Sequence, residues 1–237
     1  MLLNELDEEE MHDNAKTQVI IAALNEEEGI GLTITEMMDV LDNPPVLVVD
    51  GKSTDRTIEI AKNLGATVAC QDGKGKGDAL AKALKHLDPK AQYIVITDAD
   101  YTYPAEKIPE MIQVLKENPT VGMVCGNRLN GQIDPKALHK IFHIGNQLIA
   151  FTYNFLNRIP LEDPLTGLRV IRADILRNWQ IKSKGFDIEV ELNHHVERRG
   201  YGIVEVPIQY RERLGEKKLG LKNGVEIFIR IMLETTY

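Results

Sequence analysis

The first half of the chain alternates short, continuously apolar runs with longer segments that carry apolar residues on one side only. A short apolar run without polar interruptions is typical of a strand that is buried on both faces. Because helix-length segments separate the runs, their order predicts an α/β, Rossmann-like fold: a mostly parallel central sheet with helices on both faces. The predicted strands cover 17–24, 46–50, 66–71, 92–97 and 121–125, and the predicted helices cover 26–41, 54–64, 78–87 and 104–116.

The pattern changes in the second half, where the predicted helices are longer and the strands are fewer. An apolar-rich helix is predicted over 135–157, another over 186–199, and an amphipathic helix in the C-terminal segment 225–237. The strand predicted over 203–210 contains Pro207. Since proline cannot donate a ladder hydrogen bond, this strand belongs at an edge or a bend of the sheet.

Neither an internal repeat nor a low-complexity linker divides the chain. We therefore expect an acidic arm without fixed structure over 1–16, a single α/β domain over 17–224 and the C-terminal helix over 225–237. No apolar stretch approaches the roughly 18–20 residues that a spanning helix needs, and no secretory signal is visible. These features predict a cytoplasmic protein.

Composition and charge limit the classes of function. Of the 237 residues, 43% are hydrophobic and 27% are charged, which is typical of a globular chain. The net charge is −8. Residues 1–13 hold six acidic and no basic side chains, so the rest of the chain is close to neutral. A dedicated nucleic-acid binder shows a clear basic excess, and we therefore expect no nucleic-acid partner.

Polar side chains follow the predicted strands at the point where each strand ends. Asn25 and Glu26 follow the first strand, Asp50 ends the second, and an acidic triplet follows the fourth. The carboxyl ends of parallel strands meet at one edge, where open α/β sheets bind their ligands. Asp50 alone, followed by Ser53, could equally cap the next helix. Together, these strand ends predict a binding site.

Asp98-Ala99-Asp100 is the most informative triplet. In an extended backbone, residues i and i+2 point the same way, so the two carboxylates converge. Two hard oxygen ligands suit Mg²⁺ or Mn²⁺, which complete their coordination with water and phosphate oxygens.

The glycine-rich segment 73–78 precedes the third predicted helix and carries Lys74 and Lys76. Free backbone amides and ammonium groups in front of a helix could cradle a phosphate. The alternative is a flexible, solvated turn. The segment lacks the Walker pattern, which excludes a P-loop ATPase.

Seven short motifs follow one another between residues 25 and 213, within a region of resemblance that runs from about residue 17 to about residue 220. Together they resemble the family 2 glycosyltransferases with the GT-A fold, and within that family the dolichyl-phosphate hexose synthases of the mannose and glucose types. The motifs are NEEE (25–28), VVDGKSTDRT (48–57), GKGKGDAL (73–80), TDADYTYP (97–104), GNR (126–128), DPLTGLR (163–169) and VEVPIQYRER (204–213).

The resemblance implies metal-dependent, inverting transfer of a hexose from a nucleotide sugar of the UDP-glucose or GDP-mannose type. The implied acceptor is a polyprenyl or dolichyl phosphate at the inner face of a membrane, and the implied cofactor is Mg²⁺ or Mn²⁺. It also implies that residues 163–167 shape the sugar pocket. The implied site residues are Ala23, Asn25, Glu26, Asp50, Lys76, Asp78, Asp98 and Ala99 for the nucleotide sugar, Asp98 and Asp100 for the metal, Arg128, His139 and His143 for the acceptor phosphate, and Asp100, Arg128 and Arg213 for catalysis.

The predicted helix 135–157 offers independent support for a lipid-phosphate acceptor. It carries a polar stripe that includes Lys140 and His143 beside a broad apolar face. With the amphipathic C-terminal helix and the basic residues before it, this predicts a protein that lies on a membrane surface. The alternative is an amphipathic helix that simply covers the core.

Two other functions stay open on the sequence. A phosphate acceptor is ionised at neutral pH and needs no general base, whereas a soluble hydroxyl acceptor would need a carboxylate base. Asp187, Glu189 and Glu191 are the candidates for that base, although each could equally be a structural cap or a surface charge. A nucleotide-sugar-binding protein without catalytic activity is the third possibility.

Overall fold

The computed structural model describes residues 17–129, 150–156, 160–216 and 221–235. In these residues the chain forms a seven-stranded sheet with the strand order β3-β2-β1-β4-β6-β5-β7. The strands are β1 (Thr17–Ala23), β2 (Val46–Asp50), β3 (Thr67–Cys70), β4 (Tyr93–Asp98), β5 (Val121–Asn127), β6 (Arg169–Arg172) and β7 (Gly202–Pro207).

Six of these strands run in one direction. β1 pairs in parallel with both β2 and β4, β2 pairs in parallel with β3, and β7 pairs in parallel with β5. The short strand β6 lies antiparallel between β4 and β5. The sheet is therefore mixed rather than wholly parallel. β7 lies at the edge of the sheet and ends at Pro207, which confirms the position predicted from this proline.

Helices cover both faces of the sheet, as predicted. One apolar cluster packs the helices at Ile30–Val40 and Ile108–Glu117 against residues such as Val19 and Ile21. The other cluster packs the helices at Lys76–Leu84, Ile188–Arg198 and Leu221–Thr235 against the opposite face, where Ile20 and Leu47 point. The helices are α1 (Ile30–Val40), α2 (Thr57–Asn63), α3 (Lys76–Leu84), α4 (Ile108–Glu117), α5 (Ala173–Leu176), α6 (Ile188–Arg198) and α7 (Leu221–Thr235), with a 3₁₀ turn at Ala105–Lys107 and helical residues at 150–156.

Several helix boundaries differ from the predicted ones. α1 begins at Ile30 rather than at residue 26, because the segment before it is a loop in which Asn25 has a positive φ of 48°. α7 begins at Leu221, four residues before the predicted start. In the described part of the chain, no helix is both long and apolar enough to cross a membrane. The arm 1–16 and most of the predicted helix 135–157 lie outside the described residues.

Candidate functional site

The carboxyl ends of β1, β2 and β4 lie side by side. In the strand register Ala23 pairs with Asp50, and Ala22 pairs with Asp98. The loops that follow these strands therefore open at one edge of the sheet. This brings together the predicted residues Asn25, Glu26, Asp50, Asp98 and Asp100, as the topology of an open α/β sheet requires.

The loops after β1 and β2 are fastened to each other. The Asn25 N–H donates to Ser53 Oγ at 2.8 Å, and the Thr54 N–H donates to Asn25 Oδ1 at 2.8 Å. Asp50 is fully buried, and its carboxylate accepts the Ser53 N–H at 2.8 Å and the Ser53 hydroxyl at 2.5 Å. Asp50 thus shapes the turn at the rim of the crevice, but the alternative that it caps the next helix is wrong, because that helix begins at Thr57 with Arg56 as its N-cap residue.

Asp100 lies two residues after the end of β4 and is almost fully buried, with 4% of its surface exposed. Its Oδ1 accepts the Thr102 hydroxyl at 2.6 Å and the Thr102 N–H at 3.2 Å. Its Oδ2 accepts a hydrogen bond from Arg213, whose second amino group donates to Glu26. Burial and the neighbouring Asp98 charge raise the pKa of Asp100.

Lys76 binds two carboxylates, those of Asp98 and Glu189. Its Nζ lies 2.6 Å from Asp98 Oδ1 and 2.8 Å from Glu189 Oε1. Burial alone would lower the pKa of Lys76, but the two carboxylates outweigh it and raise the pKa well above its usual value. Lys76 is therefore a fixed cation at this edge of the sheet.

The glycine-rich segment before α3 is packed against the protein. The Gly73 N–H donates to Asp78 Oδ2 at 2.7 Å, and the Gly77 N–H donates to the Lys184 carbonyl at 3.0 Å. A Cβ at Gly75 would collide with the Lys184 backbone, so glycine allows this close approach. The prediction of a phosphate cradle with free amides is wrong for Gly73 and Gly77, because both amides already have acceptors.

Arg128 forms a second cationic position, held by Asp163. Its Nε and Nη2 donate to the two Asp163 oxygens, both at 2.6 Å, and its backbone N–H donates to Asp163 Oδ2 at 3.0 Å. The guanidinium also lies 5.5 Å from the centroid of the Tyr210 ring. Although burial alone would lower it, the Asp163 charge raises the pKa of Arg128. Within the described part of the chain, Nη1 of Arg128 has no hydrogen-bond partner.

The segment that carries Asp163 contacts Tyr103 and Asp98 through Gly167. The Gly167 N–H donates to the Tyr103 hydroxyl at 2.7 Å, and a Cβ at this glycine would lie 2.5 Å from Asp98 Oδ2. Arg169 is buried and donates to the Thr166 and Pro164 carbonyls at 3.0 and 2.8 Å. The predicted sugar-pocket segment therefore lies in contact with Asp98.

The three candidate bases occupy different environments. Asp187 accepts a hydrogen bond from Arg230 at 2.9 Å. Glu191 accepts two backbone N–H groups of the preceding loop, at 2.8 and 2.6 Å. Only Glu189 reaches the site, through Lys76. The sequence left Glu189 open as a base, a structural cap or a surface charge, and nothing in its spacing predicted the ion pair with Lys76.

The remaining predicted residues are placed as follows. Ala99 is buried, and its carbonyl accepts the Thr33 hydroxyl at 3.3 Å. Asp78 stabilises the glycine-rich segment through its contact with Gly73. His139 and His143 lie outside the described residues.

The acidic centre fits a divalent metal ion. Four carboxylates meet two cations here, which leaves a net charge of −2. Among the described residues, no cluster of three or more His, Cys, Asp or Glu side chains is arranged to hold a metal. The donor set is thus one or two aspartates, which suits Mg²⁺ or Mn²⁺ when substrate phosphate oxygens complete the coordination. The carboxylates are Glu26, Asp98, Asp100 and Glu189, and the cations are Lys76 and Arg213.

Comparison with known sequences shows extended similarity. Residues 18–179 match the sequence model of the family described as Glycosyl transferase family 2. The chain is 35% identical over 202 residues to the dolichyl-phosphate hexose transferase of Haloferax volcanii, covering 85% of each protein. It is 31% identical over 216 residues to the undecaprenyl-phosphate mannosyltransferase of Micrococcus luteus, covering 84% of this chain and 86% of that protein. It spans only 49% of another Haloferax volcanii relative, the low-salt glycan biosynthesis hexosyltransferase Agl6.

Comparison with solved structures shows the fold. Glucosyl-3-phosphoglycerate synthase from Mycobacterium tuberculosis, in complex with Mn²⁺, UDP-glucose and phosphoglyceric acid, matches with a TM-score of 0.75. The match covers 95% of this chain and 81% of that protein at 19% identity. The predicted GT-A fold in a single α/β domain is confirmed.

Proposed function

Because the chain belongs to glycosyl transferase family 2, and is therefore a glycosyltransferase, we propose that it transfers a hexose from a nucleotide sugar to a polyprenyl or dolichyl phosphate. The observation that supports this most is the arrangement of charges in one crevice. Arg213 binds Asp100 directly, and Arg128 is held by Asp163, whose segment contacts Asp98 at Gly167. Each arginine could meet a phosphate group. Relatives over most of the chain carry names that give lipid phosphates as acceptors.

The nucleotide sugar is proposed to bind along the ends of β1, β2 and β4. Asn25 at the rim would meet the nucleoside, the buried Asp50 would hold that rim in place through Ser53, and Arg213 would meet the diphosphate. The structural relative crystallised with UDP-glucose supports a uridine nucleotide as the first donor to test. Lys76 keeps Asp98 in place from the other side.

A bound Mg²⁺ or Mn²⁺, held by Asp100 with Asp98, would neutralise the charge that develops on the departing diphosphate. The chain's own contribution is the alignment of the two substrates. The Arg128 guanidinium, held in one orientation by Asp163, presents Nη1 towards an acceptor phosphate. That phosphate attacks the anomeric carbon while the diphosphate leaves from the opposite face, so the configuration inverts. No protein base is required, because the acceptor is already ionised.

The contacts of the three acidic candidates favour this acceptor over a soluble hydroxyl. Asp187 and Glu191 are held by Arg230 and by backbone amides. Glu189 is held by Lys76, so its carboxylate is already engaged with a cation. A hydroxyl acceptor would need one of these carboxylates to take up a proton.

Helix α7 supports a membrane surface as the place of the reaction. Two of its charged residues face the protein, where Arg230 binds Asp187 and Glu234 binds Arg198. Its outward side is apolar, with a helical stripe of exposed residues that repeats every three or four positions. A lipid bilayer would bury this stripe close to a lipid-borne acceptor. The exposed apolar residues are Val225, Phe228, Ile229, Met232 and Leu233, and Glu226 is also exposed.

The transfer itself is tested with radiolabelled UDP-glucose and GDP-mannose and with dolichyl or undecaprenyl phosphate. We expect label in the organic phase with Mg²⁺ or Mn²⁺, and none with EDTA or with Asp100→Asn. Asp39→Asn, an exposed aspartate on α1, is the matched control and should keep full activity. Label on a water-soluble acceptor alone would support the hydroxyl reading, and nucleotide-sugar binding without any transfer would support the non-catalytic one.

Membrane binding is tested separately by flotation with phosphatidylcholine vesicles, with and without an anionic lipid. The chain should float with the vesicles, and Phe228→Glu should not. Leu32→Glu changes an equally exposed apolar residue on α1 and should leave flotation intact. Equal flotation of the two variants would contradict a role for α7.

A further inference from the structure

We propose that Arg213 couples metal binding to nucleotide binding: it holds Asp100 and Glu26 until a nucleoside diphosphate takes over its guanidinium, so that a divalent metal ion binds tightly only together with the diphosphate. The inference rests on the proposed metal-dependent transfer from a nucleotide sugar. It goes beyond that function, because it assigns to one residue the order in which the site is filled.

The first argument is the double contact of Arg213. One amino group of its guanidinium donates to Asp100 Oδ2 and the other to Glu26 Oε1. Asp100 Oδ1 is already engaged with Thr102. Both oxygens of the most central aspartate are therefore in use, and a fixed positive charge lies directly against it. A divalent cation approaching Asp100 would meet this like charge at close range.

The second argument is that Nε of Arg213 takes no part in these contacts. Nε of Arg213 is buried and has no hydrogen-bond partner in the part of the chain that the structure describes. A buried donor without an acceptor is unfavourable. The guanidinium group forms its strongest hydrogen bonds with pairs of anionic oxygens, such as those of a carboxylate or a phosphate. A diphosphate offers several anionic oxygens, so it could satisfy Nε and both amino groups at once.

The third argument is that the backbone can stay in place when the side chain moves. The Leu214 N–H donates to the Asp100 carbonyl at 3.1 Å, and the Arg211 N–H donates to the Thr102 carbonyl at 3.0 Å. Arg211 also binds Glu36 through both amino groups at 2.7 Å. These contacts fix the loop on both sides of Arg213 without using its guanidinium. Only the arginine side chain needs to exchange partners.

The consequence is a reciprocal coupling between two ligands. When the diphosphate accepts Arg213, the carboxylates of Asp100 and Glu26 lose their cation, and the site becomes more negative just where the metal binds. By linkage, the metal then favours the nucleotide by the same factor. Without nucleotide, the arginine takes the place of the missing positive charge and keeps the buried Asp100 compensated.

The experiment measures Mn²⁺ binding by electron paramagnetic resonance of the free ion, with no transfer reaction involved. Wild-type chain is titrated with Mn²⁺ alone and in the presence of UDP or GDP. Arg213→Met should bind Mn²⁺ alone about tenfold more tightly than the wild type, within the usual range of such couplings. The same variant should bind UDP in EDTA more weakly. Arg199→Met, which removes an exposed arginine just after α6, is the matched control and should leave Mn²⁺ affinity unchanged.

An Arg213→Met chain that binds Mn²⁺ alone no more tightly than the wild type would overturn the inference. If that variant loses its near-ultraviolet circular dichroism, Arg213→Gln replaces it, because glutamine keeps hydrogen-bond donors but removes the charge. The same outcome then applies to Arg213→Gln. Failure of the inference is distinct from failure of the proposed function: in the first case wild-type transfer stays metal-dependent, and in the second the wild type binds no Mn²⁺ even with UDP or GDP.

Discussion

The ion pair between Arg128 and Asp163, at the proposed acceptor site, allows a quantitative test of how a buried charge is held in this fold. Asp163 accepts three hydrogen bonds from Arg128, at 2.6, 2.6 and 3.0 Å. The Asp163 side chain is 2% exposed and the Arg128 side chain 15% exposed. Asp163→Asn keeps the shape of the side chain but leaves the guanidinium buried without a counter-charge.

The expected cost follows from this burial. Removing one partner of a buried, hydrogen-bonded ion pair costs about 3–5 kcal/mol, because the other charge is left uncompensated. For a chain of this size, each kcal/mol lowers the melting temperature by roughly 2–4 °C. Asp163→Asn should therefore melt well below the wild type. The free energy of unfolding is measured by urea denaturation followed by circular dichroism.

A matched control comes from an exposed ion pair. Lys107 and Glu110 lie 2.8 Å apart with side chains 39% and 51% exposed, so Glu110→Gln should cost less than about 1 kcal/mol. The double variant Arg128→Met with Asp163→Asn should be more stable than the sum of the two single changes predicts. If Asp163→Asn costs no more than Glu110→Gln, or if the double variant shows no coupling, the assigned role of Asp163 is wrong.

Three further predictions follow from the described contacts. Burial, helped by the charge of Arg198, lowers the pKa of His194 to about 4, so the neutral imidazole contributes stability above pH 6.5 that is lost as the pH falls towards 4. Between pH 7 and pH 5 the free energy of unfolding, measured in urea, should fall by about 2 kcal/mol more in the wild type than in His194→Gln. Equal losses in the two proteins would contradict this. Gly167→Ala should displace Asp98 and lower the transfer rate by about a hundredfold. An unchanged rate would show that residues 163–167 can shift to accommodate the methyl group without moving Asp98. Glu191→Gln should cost about 1–3 kcal/mol of stability but leave kcat unchanged, and a large loss of kcat would instead indicate a catalytic base.

The acidic centre is the part of the site where sequence reasoning reached furthest. Each of its strands is an uninterrupted apolar run, and β2 has the predicted bounds Val46–Asp50. Parallel strands must end at a common edge, so Asp50, Asp98 and Asp100 could be placed together before any contact was known. The family and the glycosyltransferase activity, recognised from the ordered motifs, are confirmed by the comparisons. The roles of the individual residues remain predictions.

The same reasoning failed where contacts join distant parts of the chain. The glycine-rich segment before α3 looked like an open phosphate loop, but the backbone of Lys184 packs against it and takes up the Gly77 amide. The sequence left the role of Glu189 open between a base and a structural charge, and it did not predict the ion pair with Lys76. No local pattern reveals such partners, because they are brought together only by packing of the second half of the chain on the first.

The sequence by itself thus determined the α/β class, the positions of the strands and the edge at which the chemistry lies, since apolar periodicity and the direction of parallel strands are local properties of the chain. Tertiary structure alone decided the antiparallel course of β6 and the partner of each charged side chain. Arg213 bonds to Glu26 across 187 positions of sequence. A buried charge must find its counter-charge wherever the fold provides one, and that choice depends on packing rather than on neighbours in the sequence.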